Sequence, residues 1–424
     1  MASNAKNLAE LLNTDSTVGV GDSADGSVST AKLADDAVTS AKLGASAVDA
    51  TALASNAVTT AKVADGAVTQ VKTTDVAGRV GRNIAINGAM QVAQRGTSQT
   101  AISSAGYYTV DRFRTATANS AGRLTMTQES ITDLPGFANA IKFACTTADT
   151  SIAAGEYLQL SQYFEGQDLQ QLKKGTSSAE KVTVSFYVKG NGNATYMLEM
   201  FDGDNTRHNT QQFSVTSSWN RVSLTFDGDT TGAYDDDNAL SLYLNFWLHA
   251  GSSYSGGSYS ANTWAANSNS RRAAGISSFF SSTSNTFFIT GLQMEVGDSA
   301  TDFEHEPFET TLRKCQRYYV RAGGANYKSV FGASGIANTT GSWFGFGHFP
   351  VPMRASFSLV QSGGTPRIQN GQAGYNATSV SAGLSETNHA DFSMGCNASG
   401  LTLYRWHNMD SGASATLFEF DAEL

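Results

Sequence analysis

The chain has 424 residues, of which 15% are charged, well below the ~25% of an ordinary soluble protein. Glycine is abundant (41 residues) and proline scarce (5 residues), a balance that favours all-β structure and argues against a helical or α/β enzyme. The formal net charge of −9 argues against a nucleic-acid binder, which needs a basic face. No run of 18 apolar residues occurs, so we expect no membrane insertion.

The first segment, residues 1–24, contains one short amphipathic pattern. Leu8, Leu11 and Leu12 fall at positions i, i+3 and i+4, which places them on one face of a helix. A helix this short is marginal alone in water. We therefore predict that residues 1–24 anchor the chain by docking onto another protein or onto copies of themselves.

Residues 25–74 divide into five ten-residue repeats. Each repeat supplies few large apolar side chains, too few for a single chain to offset its conformational entropy. Several chains wound together could line an axis with these side chains, so we predict a homo-oligomeric shaft over residues 25–78; a disordered linker is the alternative. The predicted shaft core consists of Val28, Leu33, Val38, Leu43, Val48, Leu53, Val58, Val63 and Val68.

Residues 79–308 show the period-two alternation of β-strands. Val182, Val184, Phe186 and Val188 alternate with polar neighbours, and the stripe Leu240–Leu248 is the longest, with Tyr243 and Trp247 on its other face. Antiparallel alternation between clusters of turn residues predicts a jelly-roll-like β-sandwich. The stretch Ala250–Arg272 is rich in Gly, Ser and Asn and is predicted to be a long loop.

Residues 309–424 are predicted to form a smaller β domain. Phe308–Val320 has apolar residues at helical spacing and would link the sandwich to it. Strands are predicted at Leu401–Trp406 and at the C-terminus, and the run Phe344–Gly347 would let two backbones approach closely. The fold class is therefore mostly β: a short helix, a fibrous repeat shaft, a β-sandwich and a C-terminal β domain.

Several short motifs in the sandwich and the last domain resemble those of phage tail fibre and tail-tip receptor-binding proteins. Residues 83–96 read NIAINGAMQVAQRG, and residues 107–113 read YYTVDRF. The further matches are Gln293, Glu295 and Gly297, Phe303-Glu304, Cys315-Gln316-Arg317-Tyr318-Tyr319, and Pro350, Met353 and Arg354. One departure is Phe357, which stands where such proteins often have proline after Met-Arg.

The resemblance covers most of the chain and implies a homotrimer. The N-terminus would be held by other phage tail proteins, and the distal end would face the host. The sandwich would resemble a carbohydrate-binding module. It also implies a location in the virion tail after synthesis in the host cytoplasm, a reducing compartment consistent with three scattered cysteines that we expect to be free and buried: Cys145, Cys315 and Cys396.

Two kinds of binding site can be predicted from side-chain chemistry. Sugar rings stack on exposed aromatic faces and bond to amides and carboxylates; the candidates are Trp247, Tyr254, Tyr259, Asn262 and Trp264. The alternative is that Trp247 packs under the loop. Asp227, Asp229 and Asp235 resemble part of a Ca²⁺-binding loop, although the twelfth position is Asn238, so Ca²⁺ is the one cofactor we consider.

The sequence contains none of the usual catalytic motifs, so we expect no enzymatic activity. The predicted function is attachment of a virion to a host surface polysaccharide or other outer-surface receptor. Two alternatives remain: a structural adaptor that binds only virion proteins, and a polysaccharide-degrading tailspike with two carboxylates across a groove.

Overall fold

The structure, a computed structural model, describes Thr39 and residues 81–384, 389–413 and 415–424. From residue 81 onward these belong to one compact unit, Thr74–Leu424. Within this part of the chain, no helix has both the length and the apolar character needed to cross a membrane. The predicted anchor and shaft residues lie outside the described residues: Leu8, Leu11, Leu12, Val28, Leu33, Val38, Leu43, Val48, Leu53, Val58, Val63 and Val68.

The described chain is mostly β, which confirms the predicted fold class. Its first part forms thirteen strands: β1 (Ser98–Ile102), β2 (Gly106–Tyr107), β3 (Arg114–Ala118), β4 (Arg123–Ser130), β5 (Asn139–Thr147), β6 (Tyr157–Glu165), β7 (Val182–Gly190), β8 (Ala194–Asp202), β9 (Arg207–Val215), β10 (Asn220–Phe226), β11 (Leu240–Ala250), β12 (Ala265–Ala266) and β13 (Thr286–Val296).

Two antiparallel sheets make a sandwich from these strands. Sheet A has the order β1-β4-β5-β13-β7-β10, and sheet B has the order β12-β9-β8-β11-β6-β3-β2. One hydrophobic core fills the space between them. Phe186 of sheet A reaches across to Phe213 and Phe246 of sheet B, with ring centroids 5.2 and 5.1 Å away. The predicted alternation of β7 and β11 thus directs every second side chain into this core.

The described residues include two α-helices: α1 (Ser252–Ser255), between β11 and β12, and α2 (Phe308–Gln316), after β13. Helix α2 begins after Pro307 and carries Glu309 in its first turn and Lys314 in its last, both favourable to the helix dipole. The predicted linking helix is confirmed, but it ends before Tyr319, which opens the next strand.

Ten strands complete the chain: β14 (Tyr319–Gly323), β15 (Ser329–Thr339), β16 (Ser342–His348), β17 (Ser358–Ser362), β18 (Arg367–Gln369), β19 (Gly374–Asn376), β20 (Ser379–Leu384), β21 (Asp391–Asn397), β22 (Trp406–Asp410) and β23 (Leu417–Asp421). Sheet C has the order β14-β23-β17, and sheet D has the order β19-β18-β22-β15-β16-β21-β20. They share a second hydrophobic core, separate from that of the sandwich.

The C-terminal sheets agree with the sequence at one predicted point and correct it at another. Gly335 of β15 lies opposite Gly345 of β16, and a Cβ at Gly335 would collide with the facing backbone, as the Phe344–Gly347 run predicts. The strand predicted at Leu401–Trp406 is wrong, because β22 begins only at Trp406. Tyr404 instead has φ +57°, which fits a turn.

Candidate functional site

The predicted loop Ala250–Arg272 folds back against the outer face of sheet B, the face that points away from the core. Tyr254 lies edge-on to Tyr157 of β6, with centroids 5.4 Å apart, and 5.2 Å from Trp247 of β11. The side chain of Trp247 is only 1% exposed, and its indole N–H donates to Glu199 at 2.9 Å. Trp247 therefore packs under the loop and offers no face to a ligand in this structure.

The other predicted glycan-binding residues are held at separate points of the loop. Tyr259 is 37% exposed, and its hydroxyl accepts a bond from the backbone N–H of Gln212 at 3.0 Å. Asn262 exchanges two hydrogen bonds with Asp227, at 2.9 and 3.0 Å. The half-buried Trp264 donates to the carbonyl oxygen of Asp227 at 2.7 Å. Asn262 and Trp264 are thus brought together at Asp227, whereas Trp247 and Tyr254 stack elsewhere.

The three predicted Ca²⁺ ligands are not brought together. Asp229 is buried and contacts Arg207 at 2.7 Å and Lys174 at 3.2 Å, and Asp227 contacts Lys181 at 3.2 Å. Among the described residues, no group of three His, Cys, Asp or Glu side chains is arranged to hold a metal ion. Cationic side chains of the chain itself neutralise Asp227 and Asp229, so the predicted Ca²⁺ ligands have no support in the arrangement of the described residues.

A buried polar network occupies the middle of the outer face of sheet B. At its centre lies Glu199 of β8, which has no solvent exposure. Arg272 donates two bonds to this carboxylate, at 2.6 and 2.8 Å, and Asn245 donates one at 3.0 Å. His208 lies 3.3 Å away. Arg272 comes from the end of the loop, so this network fastens the loop to the sheet.

The pKa of Glu199 reflects this enclosure. Burial would raise it, but the charge of Arg272 and the hydrogen bonds from His208, Arg272 and Asn245 outweigh burial and hold the pKa at about 2. Glu199 is therefore a carboxylate at neutral pH. Its charge is compensated within the protein, so we assign it a structural role.

Beside the network, three aromatic side chains form a row across neighbouring strands of the same face. Tyr243 of β11 lies opposite Tyr163 of β6 on one side and opposite Phe201 of β8 on the other. The ring centroids are 4.7 and 5.4 Å from that of Tyr243. Tyr243 and Phe201 are half-buried and Tyr163 is buried. We call Tyr163, Tyr243 and Phe201 the aromatic row.

Two guanidinium groups flank the aromatic row. Arg114 of β3 donates to the hydroxyl of Tyr163 at 2.9 Å. Arg272 lies 4.6 Å from the ring centroid of Phe201. The rings of the row stand edge-to-face, at 68° and 81° to that of Tyr243, so the half-buried ring of Tyr243, with hydrogen-bond donors nearby, is the part that could contact a ring-shaped polar ligand. Of the three residues of the aromatic row, the sequence indicated only Tyr243 as outward-facing. The period-two spacing of Tyr157 and Tyr163 in β6 is the signal that would have added Tyr163.

The sequence motifs converge elsewhere, at the junction between the sandwich and sheet C. Arg112 is 1% exposed, and its guanidinium lies 3.4 Å from the ring centroid of Tyr318. It also forms an ion pair with Glu423 and donates to the carbonyl oxygen of Tyr163 at 2.6 Å. This one side chain ties together the sandwich, the segment after α2 and the C-terminus.

The neighbouring motif arginines also stack on tyrosine rings or pair with carboxylates. Arg95 stacks on Tyr319 at 3.6 Å from the ring centroid and pairs with Asp421 at 2.9 Å. Arg317 donates two bonds to Glu165 of β6, at 2.9 and 2.6 Å. We call this set the motif junction; its members are Gln94, Arg95, Asp111, Arg112, Glu165, Arg317, Tyr318, Tyr319, Asp421 and Glu423. Its geometry gives these motif residues a structural role.

Asp111 gives the motif junction an expected pH dependence. Burial raises the pKa of Asp111 to about 6, although the side chain and backbone of Gln94 donate to it at 2.5 and 2.9 Å. The folded carboxyl thus holds its proton more tightly than the unfolded one, whose ordinary value is 3.8. Its contribution to stability is present below pH 3.8 and is lost as the pH rises to about 6, at roughly 1.4 kcal/mol per pKa unit.

The Asp111→Asn variant provides the measurement. We expect the difference in urea midpoint between variant and wild type to change between pH 4 and pH 6, in favour of the variant at the higher pH. A difference that is constant over this range would contradict the prediction.

The chain matches no protein-family model and no curated protein. Its fold is similar in part to solved structures. The enzymatically active domain of tailspike protein 4 from bacteriophage CBA120 is 12% identical, with a TM-score of 0.27, over 51% of this chain but only 22% of that chain. A family 61 carbohydrate-binding module in complex with β-1,4-galactotriose is 10% identical, with a TM-score of 0.26, over 51% of this chain and all of the module (100%).

A family 11 carbohydrate-binding module from Clostridium thermocellum, in complex with a β-1,3-1,4-mixed-linked tetrasaccharide, is 12% identical. Its TM-score is 0.24, over 48% of this chain and 98% of the module. Likenesses at this level carry no argument about what the chain binds. Function has to be argued from its own residues.

Proposed function

We propose that the chain is a subunit of a bacteriophage tail fibre that attaches the virion to glycan on the host surface, without cleaving it. The decapeptide repeats and the motif resemblance support the fibre. The aromatic row on sheet B is the single observation that supports glycan binding. In this proposal the sandwich is the receptor-binding part and acts in the virion tail.

The chemistry of the row suits a sugar. The C–H faces of a pyranose ring pack against aromatic rings, and the half-buried Tyr243 offers such a ring, with Phe201 edge-on beside it on the neighbouring strand. Arg114, which lies at the Tyr163 end of the row, would donate to a hydroxyl oxygen and help to fix the orientation of the ligand. One shallow site of this kind binds weakly, so attachment would depend on several copies engaging together.

Tyr243→Ala tests the proposal. We expect the full-length variant to bind an array of bacterial surface polysaccharides, or the host cells, about tenfold more weakly than the wild type, since ~1.4 kcal/mol of lost stacking corresponds to that factor. Tyr243→Phe keeps the ring and should keep most of the binding. Tyr327→Ala, which removes an exposed tyrosine of the C-terminal domain (55% exposed), is the matched control.

The other outcomes separate the alternatives. If Trp264→Ala loses binding while Tyr243→Ala retains it, the glycan site lies on the loop that the sequence indicated. Reducing sugar released from the bound polysaccharide would favour a tailspike. If the wild type binds no polysaccharide and no cells, the glycan proposal fails and a structural adaptor becomes the better hypothesis.

A further inference from the structure

Lys174 is a buried lysine at the end of β8, with only 4% of its side chain exposed. Its Nζ atom lies among four oxygen atoms. Two belong to the carboxylates of Asp202 and Asp229, at 2.6 and 3.2 Å, and two are the backbone carbonyl oxygens of Thr231 and Gly232, at 2.8 and 2.7 Å. We call these four atoms the oxygen cage. Both carboxylates are buried, so the cage and the ammonium are shielded from water together.

The oxygen cage is held in place by contacts that do not involve the side chain of Lys174. Asn205 donates to the carboxylate of Asp202 at 3.1 Å and to the carbonyl oxygen of Ala233 at 2.8 Å. The left-handed backbone of Gly232 (φ +71°) turns against the same asparagine, and a Cβ at Gly232 would lie 2.2 Å from its side chain. The cage should therefore persist when the ammonium is removed.

The charges around the oxygen cage balance only with a cation inside it. Arg207 donates two bonds to Asp229, at 2.7 and 3.1 Å, and so compensates one of the two carboxylates. The other carboxylate, that of Asp202, pairs with Lys174. A buried carboxylate that loses its partner charge is strongly destabilising. A positive charge is therefore required at the position of the Lys174 ammonium.

The ligands of the oxygen cage are those of a cation-binding site. An ammonium group has three protons to donate, whereas the cage presents more oxygen atoms than that to Nζ. Carboxylate and backbone carbonyl oxygens are the ligands of Ca²⁺, which takes about six to eight oxygens and completes its set with water. Bonds from oxygen to Ca²⁺ are ~2.3–2.6 Å long, so the cage would contract slightly around such an ion.

We propose that the oxygen cage is a Ca²⁺-type site whose resident cation is the ammonium of Lys174. The native protein then needs no metal ion at this position, and the cage takes Ca²⁺ from solution once the ammonium is removed. The sequence predicted Ca²⁺ ligands in the same region, at Asp227, Asp229 and Asp235, but only Asp229 belongs to the cage. This inference is independent of glycan binding.

The resident cation also lies beside the loop that carries two of the predicted glycan-binding residues. Nζ of Lys174 is 5.1 Å from the ring centroid of Tyr234 and 5.6 Å from that of Trp264. Trp264 in turn donates to the carbonyl oxygen of Asp227, in the segment that supplies the cage carbonyls. Trp264 is therefore close enough to report optically on what occupies the cage.

Lys174→Ala tests the proposal in the full-length protein, with Lys174→Met as the matched control. Both variants lose the ammonium, but methionine keeps the cage filled, whereas alanine leaves room for an ion and its water. For Lys174→Ala we expect a Kd for Ca²⁺ of roughly 1 mM, so that about 10 mM CaCl₂ raises its thermal midpoint by about 2–4 °C. The wild type and Lys174→Met should shift by less than about 1 °C.

Terbium luminescence reports binding at the cage itself. Tb³⁺ takes the oxygen ligands that Ca²⁺ takes, and a nearby excited tryptophan sensitises its emission. We expect tryptophan-excited emission with Lys174→Ala and its loss with Lys174→Met. Excess CaCl₂, or Asp202→Asn added to Lys174→Ala, should also abolish the emission.

Three results would overturn the proposal. The first is a Lys174→Ala protein that CaCl₂ stabilises no more than NaCl at the same ionic strength, or that folds in neither salt. The second is an equal response of Lys174→Ala and Lys174→Met, which would place the ion elsewhere. The third is an intact wild-type mass lower than that of the sequence by one water, with a cross-linked peptide that contains Lys174. Lys174 would then have condensed with a neighbouring carboxyl group and would carry no charge.

Discussion

Replacing Glu199 by Gln is expected to lower the free energy of unfolding of the sandwich by about 3–5 kcal/mol, the usual cost of removing one partner of a buried ion pair. Arg272 would be left against Phe201 and Trp247, at 4.6 and 5.0 Å from their ring centroids, without its carboxylate. The loop held by Arg272 should loosen as well, so Trp247 fluorescence would report the change directly.

The measurement is urea unfolding followed by tryptophan fluorescence, with Glu180→Gln as the control. Glu180 pairs with Lys173 at 2.5 Å, but both side chains are exposed, so its loss should cost less than about 1 kcal/mol. The double variant Glu199→Gln/Arg272→Met removes both charges and should recover much of the lost stability. If Glu199→Gln and Glu180→Gln lower the free energy of unfolding equally, the role assigned to Glu199 is contradicted.

The Glu199→Gln variant should also change the pH dependence of unfolding in acid. The pKa of Glu199 is lowered from its ordinary value of 4.5 to about 2 in the folded protein. Its stabilising contribution is therefore complete above pH 4.5 and is lost as the pH falls towards 2. Unfolding of Glu199→Gln should depend less on pH over this interval than unfolding of the wild type.

The strands that the sequence predicted are those with one apolar and one polar face. β7 alternates because its valines and Phe186 enter the core, whereas Thr183 and Ser185 on its other face are polar, although they too are buried. β6 and β8 were missed because aromatic residues also stand on their outer face, at Tyr163 and Phe201, which blurs the period of two. The same residues that weakened the strand pattern make up the aromatic row.

The candidate site could be predicted only in part from the sequence, and the reason is physical. Whether Trp247 is a surface platform or a buried anchor depends on a loop that closes over it, and Arg272 completes that closure from 25 residues away in the chain. Period and composition report which face of a strand a residue occupies. They do not report what packs on that face.

The motifs illustrate the same limit. Arg95, Arg112 and Arg317 stand out in the sequence, but the carboxylates that bind them come from distant segments, such as Glu423 and Glu165. Only the folded chain shows that these motifs meet at one junction. The resemblance indicated which segments carry the motifs. The structure shows that these segments contact one another at the motif junction.

Replacing Arg112 by Met should therefore weaken the motif junction more than it weakens either hydrophobic core. The change removes the stacking on Tyr318 and the bond to Tyr163, and it leaves Glu423 buried with Arg95 alone, at 3.3 Å. We expect a loss of about 3–5 kcal/mol. Hydrogen exchange followed by mass spectrometry should show faster exchange in β14 and β23, with β7 and β13 protected as in the wild type.

Arg367→Met is the matched control, because Arg367 makes the same kinds of contact at a more open place. Its guanidinium lies 4.6 Å from the ring centroid of Tyr327 and pairs with Asp410 at 2.7 Å, with 30% of the side chain exposed. Solvent screens this pair, so its loss should cost about 1 kcal/mol or less. If Arg112→Met and Arg367→Met have the same effect, or if exchange in β7 rises with that in β14, the motif residues stabilise the whole unit evenly and the junction has no separate role.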